Sequence, residues 1–213
     1  MSEESIKDRV VNNLLLLYLI EQTNKKGKLE DPLKLQKLVF LSQKKTIAKK
    51  GKGFNYNFFR WQKGPYSADV SEDLKVLMAN NYVSGKYEVE LTDQGREVLS
   101  KCAELLTKNK RLLEPIDAVI EQYAQLDPEK IKNEVYKMQV IVPRTHQLAR
   151  VEQLPPRQLI LFRSSDESAK LLFDIDGEWL ATLELIFDQE ALDSLRRAQK
   201  DATEGRARGI DHL

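Results

Sequence analysis

"EDPLKLQKLVFLSQKKTIAKK", residues 30–50, decides how this chain is read. Asp31 is a good helix N-cap, and Pro32 suits the first helical position, where an N–H has no intrahelical partner to lose. From there Leu35, Leu38, Val39 and Leu41 fall at helical spacing and face inward. Gly51 and Gly53 in "KKGKG" end the run. The period then changes. "FNYNFFRW" alternates Phe54, Tyr56 and Phe58, which predicts a strand or extended ribbon, and "KGPY" places a turn at Gly64 and Pro65.

Working outward, Ile6, Val10, Leu14, Leu17 and Tyr18 predict a helix from Ile6 to about Thr23 with one buried face. "SADVSEDLKVLMANN" predicts another, with Val70, Leu74, Leu77 and Met78 inside. "NYVSGKYEVELT" reads as two short strands joined at Ser84 and Gly85, followed by a helix from Thr92 or Asp93. Helix, strand pair, helix is the order of a winged helix. Two more helices are expected, from about Leu112 to Gln125 with Pro115 in the first turn, and from Pro128 toward Met138. Beyond that, Pro143, Pro155 and Pro156 interrupt a stretch with few periodic apolar residues. The expected organisation is a helical, winged-helix-like domain over 1–138, a linker over 139–162, and a small α/β C-terminal segment over 163–213. The fold class is mainly α (α+β).

The chain has 213 residues, 41% of them hydrophobic and 31% charged, which describes a globular protein able to bury a real core. A net charge of +1 hides an asymmetry: residues 1–110 hold 20 Lys and Arg against 14 Asp and Glu, and residues 111–213 hold 14 against 19. Such a split hints that the two ends meet different partners. Cys102 is the only cysteine and has no internal disulfide partner; its place in a helical pattern suggests a buried thiol. The N-terminus carries acids where a secretory signal has bases, and "LLLLYLI" from Leu14 to Ile20 is far short of a membrane span. A cytoplasmic protein with no membrane partner is expected.

Catalytic chemistry is scarce. The two histidines, His146 and His212, have no Cys or His neighbour at metal-ligand spacing, so no metal site is expected. "GKG" at 51–53 lacks the further glycine or the Lys-Ser/Thr of a phosphate-binding loop, and no nucleophile elbow is present. The expectation is a binding protein, with no enzymatic activity and no cofactor.

Taken together, "LKLQKLVFLSQ", "FNYNFFRWQKGPYS" and "LKVLMANNYV" resemble the Panacea family, whose signature is a K-L-Q-K-L helix followed by an aromatic segment and a G-P turn. The resemblance covers about residues 8–138. It implies an antitoxin of a toxin–antitoxin system, with the domain acting as a protein-binding neutralising module in a stress response. From the residues alone, Leu35, Leu38, Val39, Phe58, Trp61 and Tyr66 are most economically core.

A winged helix invites a DNA reading. The helix after the G-P turn, however, presents Asp69, Glu72 and Asp73 against Lys75, which repels the phosphates that dominate DNA affinity. A backbone contact would instead fall to Lys44, Lys45, Lys49, Arg60 and Lys63. Operator DNA is thus a second partner to test, through a transcriptional-regulator role.

"WLATLELIFDQEALDSLRRAQKDATEGR", near the C-terminus, places Trp179, Leu183 and Ile186 on one stripe and Leu192, Leu195 and Ala198 on another, hinged at Asp188. From Asp166 to Asp193 there are nine acids and one base, Lys170. The segment is similar to the toxin-binding tail of prevent-host-death type antitoxins at Leu183, Glu184, Asp188, Glu190, Ala191, Leu195, Arg196, Gly205 and Arg206, and departs from it at Phe187 and Gln189. That likeness implies toxin contacts through Trp179, Leu183, Ile186, Phe187, Asp188, Leu192, Leu195 and Arg196. An acidic ribbon with apolar anchors can occupy the surface on which a ribonuclease holds phosphates. The expected function is a type II antitoxin that binds a small basic, RelE-like mRNA endonuclease directly, as a homodimer or a toxin–antitoxin hetero-oligomer.

Overall fold

A computed structural model describes residues 4–85, 88–142, 146–188 and 194. Its helices are α1 (Ile6–Lys26), α2 (Pro32–Ala48), α3 (Ala68–Ala79), α4 (Asp93–Lys101), α5 (Ala103–Lys108), α6 (Lys110–Tyr123), α7 (Pro128–Lys137) and α8 (Gly177–Phe187). Short strands fill the gaps: β1 (Gly51–Lys52), β2 (Phe58–Trp61), β3 (Gly64–Tyr66), β4 (Val83–Ser84), β5 (Glu90–Leu91), β6 (Gln139–Ile141), β7 (Leu148–Arg150), β8 (Leu159–Leu161) and β9 (Leu171–Leu172). The protein is mainly α with small strand pairs, as its periodicity predicts.

Helix starts follow the side chains that cap them. Ser5, Asp31, Ser67, Thr92 and Asp127 each accept a bond from the backbone N–H three residues on. Each cap satisfies an N–H that the first turn would otherwise orphan. Helix α1 is the centre of the core. Leu14, Leu15, Leu16, Leu17, Leu19 and Ile20 are all fully buried, so the helix is enclosed nearly all round rather than on the single face its spacing suggests. It packs against α3, α4, β5 and α6, while α2 packs against α6, α7, β1 and β3.

Four side-chain amides clasp extended segments, three of them from the helical frame and one, Asn55, from the ribbon after α2. Gln36 on α2 takes the N–H of Ser67 at 2.9 Å and gives its own N–H to the Ser67 carbonyl at 2.8 Å. Gln43, also on α2, does the same to Tyr56, at 2.9 and 2.8 Å. Asn55 clasps Ser164 at 2.7 and 3.3 Å, and Asn109 clasps Asp174 at 2.7 and 2.8 Å. Each clasp supplies an extended segment with the pair of bonds that a neighbouring strand would have given it. Lys34 is buried beside the first clasp, with its ammonium on the carbonyls of Lys28 and Ala124 and on Glu30. The K-L-Q-K-L signature is therefore an internal fastening.

The ribbon after α2 is only partly strand. Residues 54–57 stay extended without a ladder because Gln43 and Asn12 take up the N–H groups of Tyr56 and Asn55. Strand β2 then pairs antiparallel with β3, and Gly64 at the turn adopts φ +112°, which L side chains avoid. Trp61, expected inside, is exposed at the end of β2, where it lies 6.1 Å from Tyr66 and beneath the Arg157 guanidinium. Helix α3, the antiparallel pair β4 and β5, and helix α4 follow in the expected order.

The stretch 139–162, read from its prolines as a linker, carries the hairpin β6–β7 and strand β8 instead. Strand β8 joins the sheet on the free edge of β2, giving the order β3-β2-β8, and β9 runs parallel to β1. Backbone pairing, which leaves no periodic apolar signature in three-residue strands, is what orders it. One compact unit consequently runs to Ile175, and the described residues from Asp176 onward belong to a second. In that second unit Asp176 caps α8 by accepting the Trp179 N–H at 2.8 Å.

Candidate protein-docking site

A groove of about 960 Å³ opens on the first unit's surface between the last turns of α2, the β6–β7 hairpin and β8. Its walls are apolar. Val140 and Ile160 are buried beneath it, and Ile141, Leu148 and Phe162 stand 60%, 61% and 53% exposed along it. Those three are among only five large hydrophobics that the described residues leave exposed, and they converge on one place. A contiguous apolar patch of this kind marks an interaction surface.

The groove's charge has one sign. Lys44, Lys137 and Arg150 line it together with His146, and no carboxylate does so among the described residues. Lys137 and Arg150 have only distant, exposed partners, Glu134 at 3.9 Å and Glu152 at 3.6 Å. Pairs of that kind contribute little and leave the cations available.

Of the other basic residues proposed to touch a phosphate backbone, Lys45 is half-buried on α2 and Lys49 is exposed, 3.8 Å from Glu114. Arg60 is half-buried on β2 with its guanidinium over the Tyr136 ring at 5.7 Å, and Lys63 is exposed in the β2–β3 turn. Arg60 is therefore already committed to a cation–π stack. Of the five, Lys44 alone reaches the groove.

On α8, Leu183 and Phe187 are buried, Trp179 and Ile186 are half-buried, and Asp188 is exposed at the helix end. Leu192, Leu195 and Arg196 lie outside the described residues. Among the described residues no group of three or more His, Cys, Asp and Glu could hold a metal ion, and no helix is long and apolar enough to cross a membrane.

A polar network on the α1 side fixes the chain that follows β8. Arg163 reaches Asp69 at 3.1 Å and Glu4 at 3.4 Å, and its Nε donates to the Asn55 carbonyl. Lys52 bridges Asp8 at 2.7 Å and Asp166 at 2.5 Å. Burial works against its charge, but those two carboxylates outweigh it and raise its pKa. Deeper in, the Tyr56 hydroxyl donates to Asp73 at 2.7 Å. Burial, helped by the negative charges of Glu4 and Asp69, pushes the Asp73 carboxyl up to about 7 against the opposing Tyr56 bond. Burial also pushes the Cys102 thiol up to about 11, which leaves it an unreactive core residue.

The sequence reading missed Ile141, Leu148 and Phe162. The available signal was weak: "LILF" at 159–162 and "QVIV" at 139–142 are apolar, β-branched runs of strand length, outweighed by three nearby prolines.

A helical domain with an apolar, cation-rimmed groove has the features of a protein-binding module. Residues 35–139 match the family described as "Antitoxin SocA-like, Panacea domain". Over that stretch the chain is a Panacea domain, an antitoxin-like module. The match begins within α2 and ends at β6, so α1 and strands β7 to β9 lie outside it. Neither the curated proteins nor the solved structures contain a match to the chain.

Proposed function

We propose that this chain is the antitoxin of a type II toxin–antitoxin system, acting by direct binding of its cognate toxin and without enzymatic activity. The observation that carries this reading is the Panacea domain at residues 35–139. The acid-rich run from Asp166 to Asp193 supports a small, basic, RelE-like endonuclease as the toxin, because carboxylates beside Trp179, Leu183 and Ile186 suit a surface built to hold RNA phosphates. The test is co-expression with the open reading frame next to the gene. The neighbour alone should arrest growth, the pair should not, and the two proteins should co-purify. A harmless neighbour, or a toxic one that the chain neither binds nor silences, rules the reading out.

A DNA-binding regulator is the second reading, supported by the order α3, β4, β5, α4 and by the lysines of α2. It requires a gel shift on upstream DNA that withstands moderate salt and is lost on replacing Lys44, Lys45 and Arg60.

A further inference from the structure

Two surfaces of opposite chemistry are evident in this chain. The C-terminal run is acidic, whereas the groove beside α2 is apolar and rimmed by cations. A single basic toxin surface complements the first and is repelled by the second, so the groove calls for a different surface.

We propose that the groove between α2, β6–β7 and β8 docks an amphipathic helix whose apolar stripe is bordered by carboxylates, presented by the protein that the chain neutralises. The size fits. About 960 Å³ is the upper end of a small-ligand pocket and accepts several side chains, as a helix does when it lays its i, i+3/i+4 and i+7 anchors into a groove. Ile141, Leu148 and Phe162 supply apolar contact for the stripe. Lys44 lies on the helical wall and Arg150 on the hairpin wall, so cations stand on both sides of an incoming helix and select Asp or Glu at its flanks. Nucleic acid fits less well, because three exposed aliphatic and aromatic side chains would face the phosphate backbone. The groove's preference follows from its own residues. Only the identity of the helix's bearer rests on the antitoxin reading.

The test has two arms, both on the full chain. In the first, a fluorescein-labelled helical peptide with a leucine stripe flanked by glutamates is titrated and its anisotropy followed. The wild-type chain should bind it saturably. Leu148→Ser with Phe162→Ser should weaken binding about tenfold or more, and Lys44→Glu with Arg150→Glu should abolish it while admitting the same peptide with lysine flanks. Equal affinity of the wild type for both peptides, no saturable binding, or preference for a 20-base-pair DNA duplex overturns the proposal. In the second, the groove variants are co-expressed with the neighbouring toxin. Loss of neutralisation with folding intact places the helix on the toxin, whereas full neutralisation overturns that assignment. If the wild type itself fails to neutralise the neighbour, the antitoxin reading falls, and the peptide arm still decides the groove.

Discussion

Gln36 and Ser67 hold each other through both backbone groups of Ser67, at 2.9 and 2.8 Å, although 31 residues separate them. Ser67 is also the N-cap of α3, so this one side chain fixes the angle at which the G-P turn delivers the chain into the next helix. Both residues are buried, and water cannot replace the bonds. Gln36→Met keeps the volume but strands the Ser67 N–H and leaves the Ser67 carbonyl only the long bonds from Ser71 at 3.4 Å. Urea titration should register a loss of about 2–4 kcal/mol. Gln62→Met, on the exposed β2–β3 turn, should change it by less than about 0.5 kcal/mol.

Stability should fall as pH rises from about 4 to about 7. In the unfolded chain Asp73 loses its proton near the ordinary value of 3.8, whereas in the folded protein it keeps it up to about 7. Across that window the native state binds more protons, so the stabilisation present below pH 4 is lost by pH 7, by at most about 4 kcal/mol. Glu4, whose pKa is also raised by burial, acts in the same direction. Asp127 and Asp166, held low by the Lys130 backbone N–H and by Lys52 respectively, act only below pH 4. Asp73→Asn still accepts from Tyr56 and carries no charge. Its melting temperature should vary much less between pH 4 and 7, and an unchanged slope would show that Asp73 is not the group responsible.

Gly95 sits in the first turn of α4, where a Cβ would come within 2.1 Å of the Tyr82 carbonyl oxygen. That carbonyl accepts the Thr92 N–H and closes the β4–β5 corner. Gly95→Ala therefore has to push backbone aside, and a loss of about 2 kcal/mol or more is expected. An unchanged denaturation midpoint would mean that the corner gives way freely.

In the C-terminal unit, Trp179→Ala and Ile186→Ala should each weaken the complex with the toxin by about 1–4 kcal/mol, measured by calorimetry. Leu183 is buried in the chain itself, so its replacement loads stability as well as affinity and is the poorer probe.

Helices were legible where start signals and periodicity agreed, as at Asp31 and Thr92. The strands after residue 138 were not: β8 and β9 take their stability from partners far along the chain, β2 and β1, and the β6–β7 hairpin is built from strands of only three residues. Three prolines in a row of weak signals read as a linker when only local sequence is weighed. The groove was lost with them, since it exists only where the hairpin and β8 meet α2. Lys44 was singled out from its charge as a contact for a phosphate backbone, and the structure places it on the helical wall of the groove.

The clasp between Asn55 and Ser164 and the bridges from Arg163 to Glu4 and Asp69 set when this protein can be completed. On the ribosome, α1 and α2 emerge more than a hundred residues before the segment that satisfies their polar neighbours. At roughly 5–20 residues per second, the nascent molecule spends several seconds with those groups bare. A chain made this way closes this polar network only once residues 163 and 164 have left the ribosome. A chain cut short before residue 163 would leave Glu4, Asp69 and the Asn55 side chain without these partners.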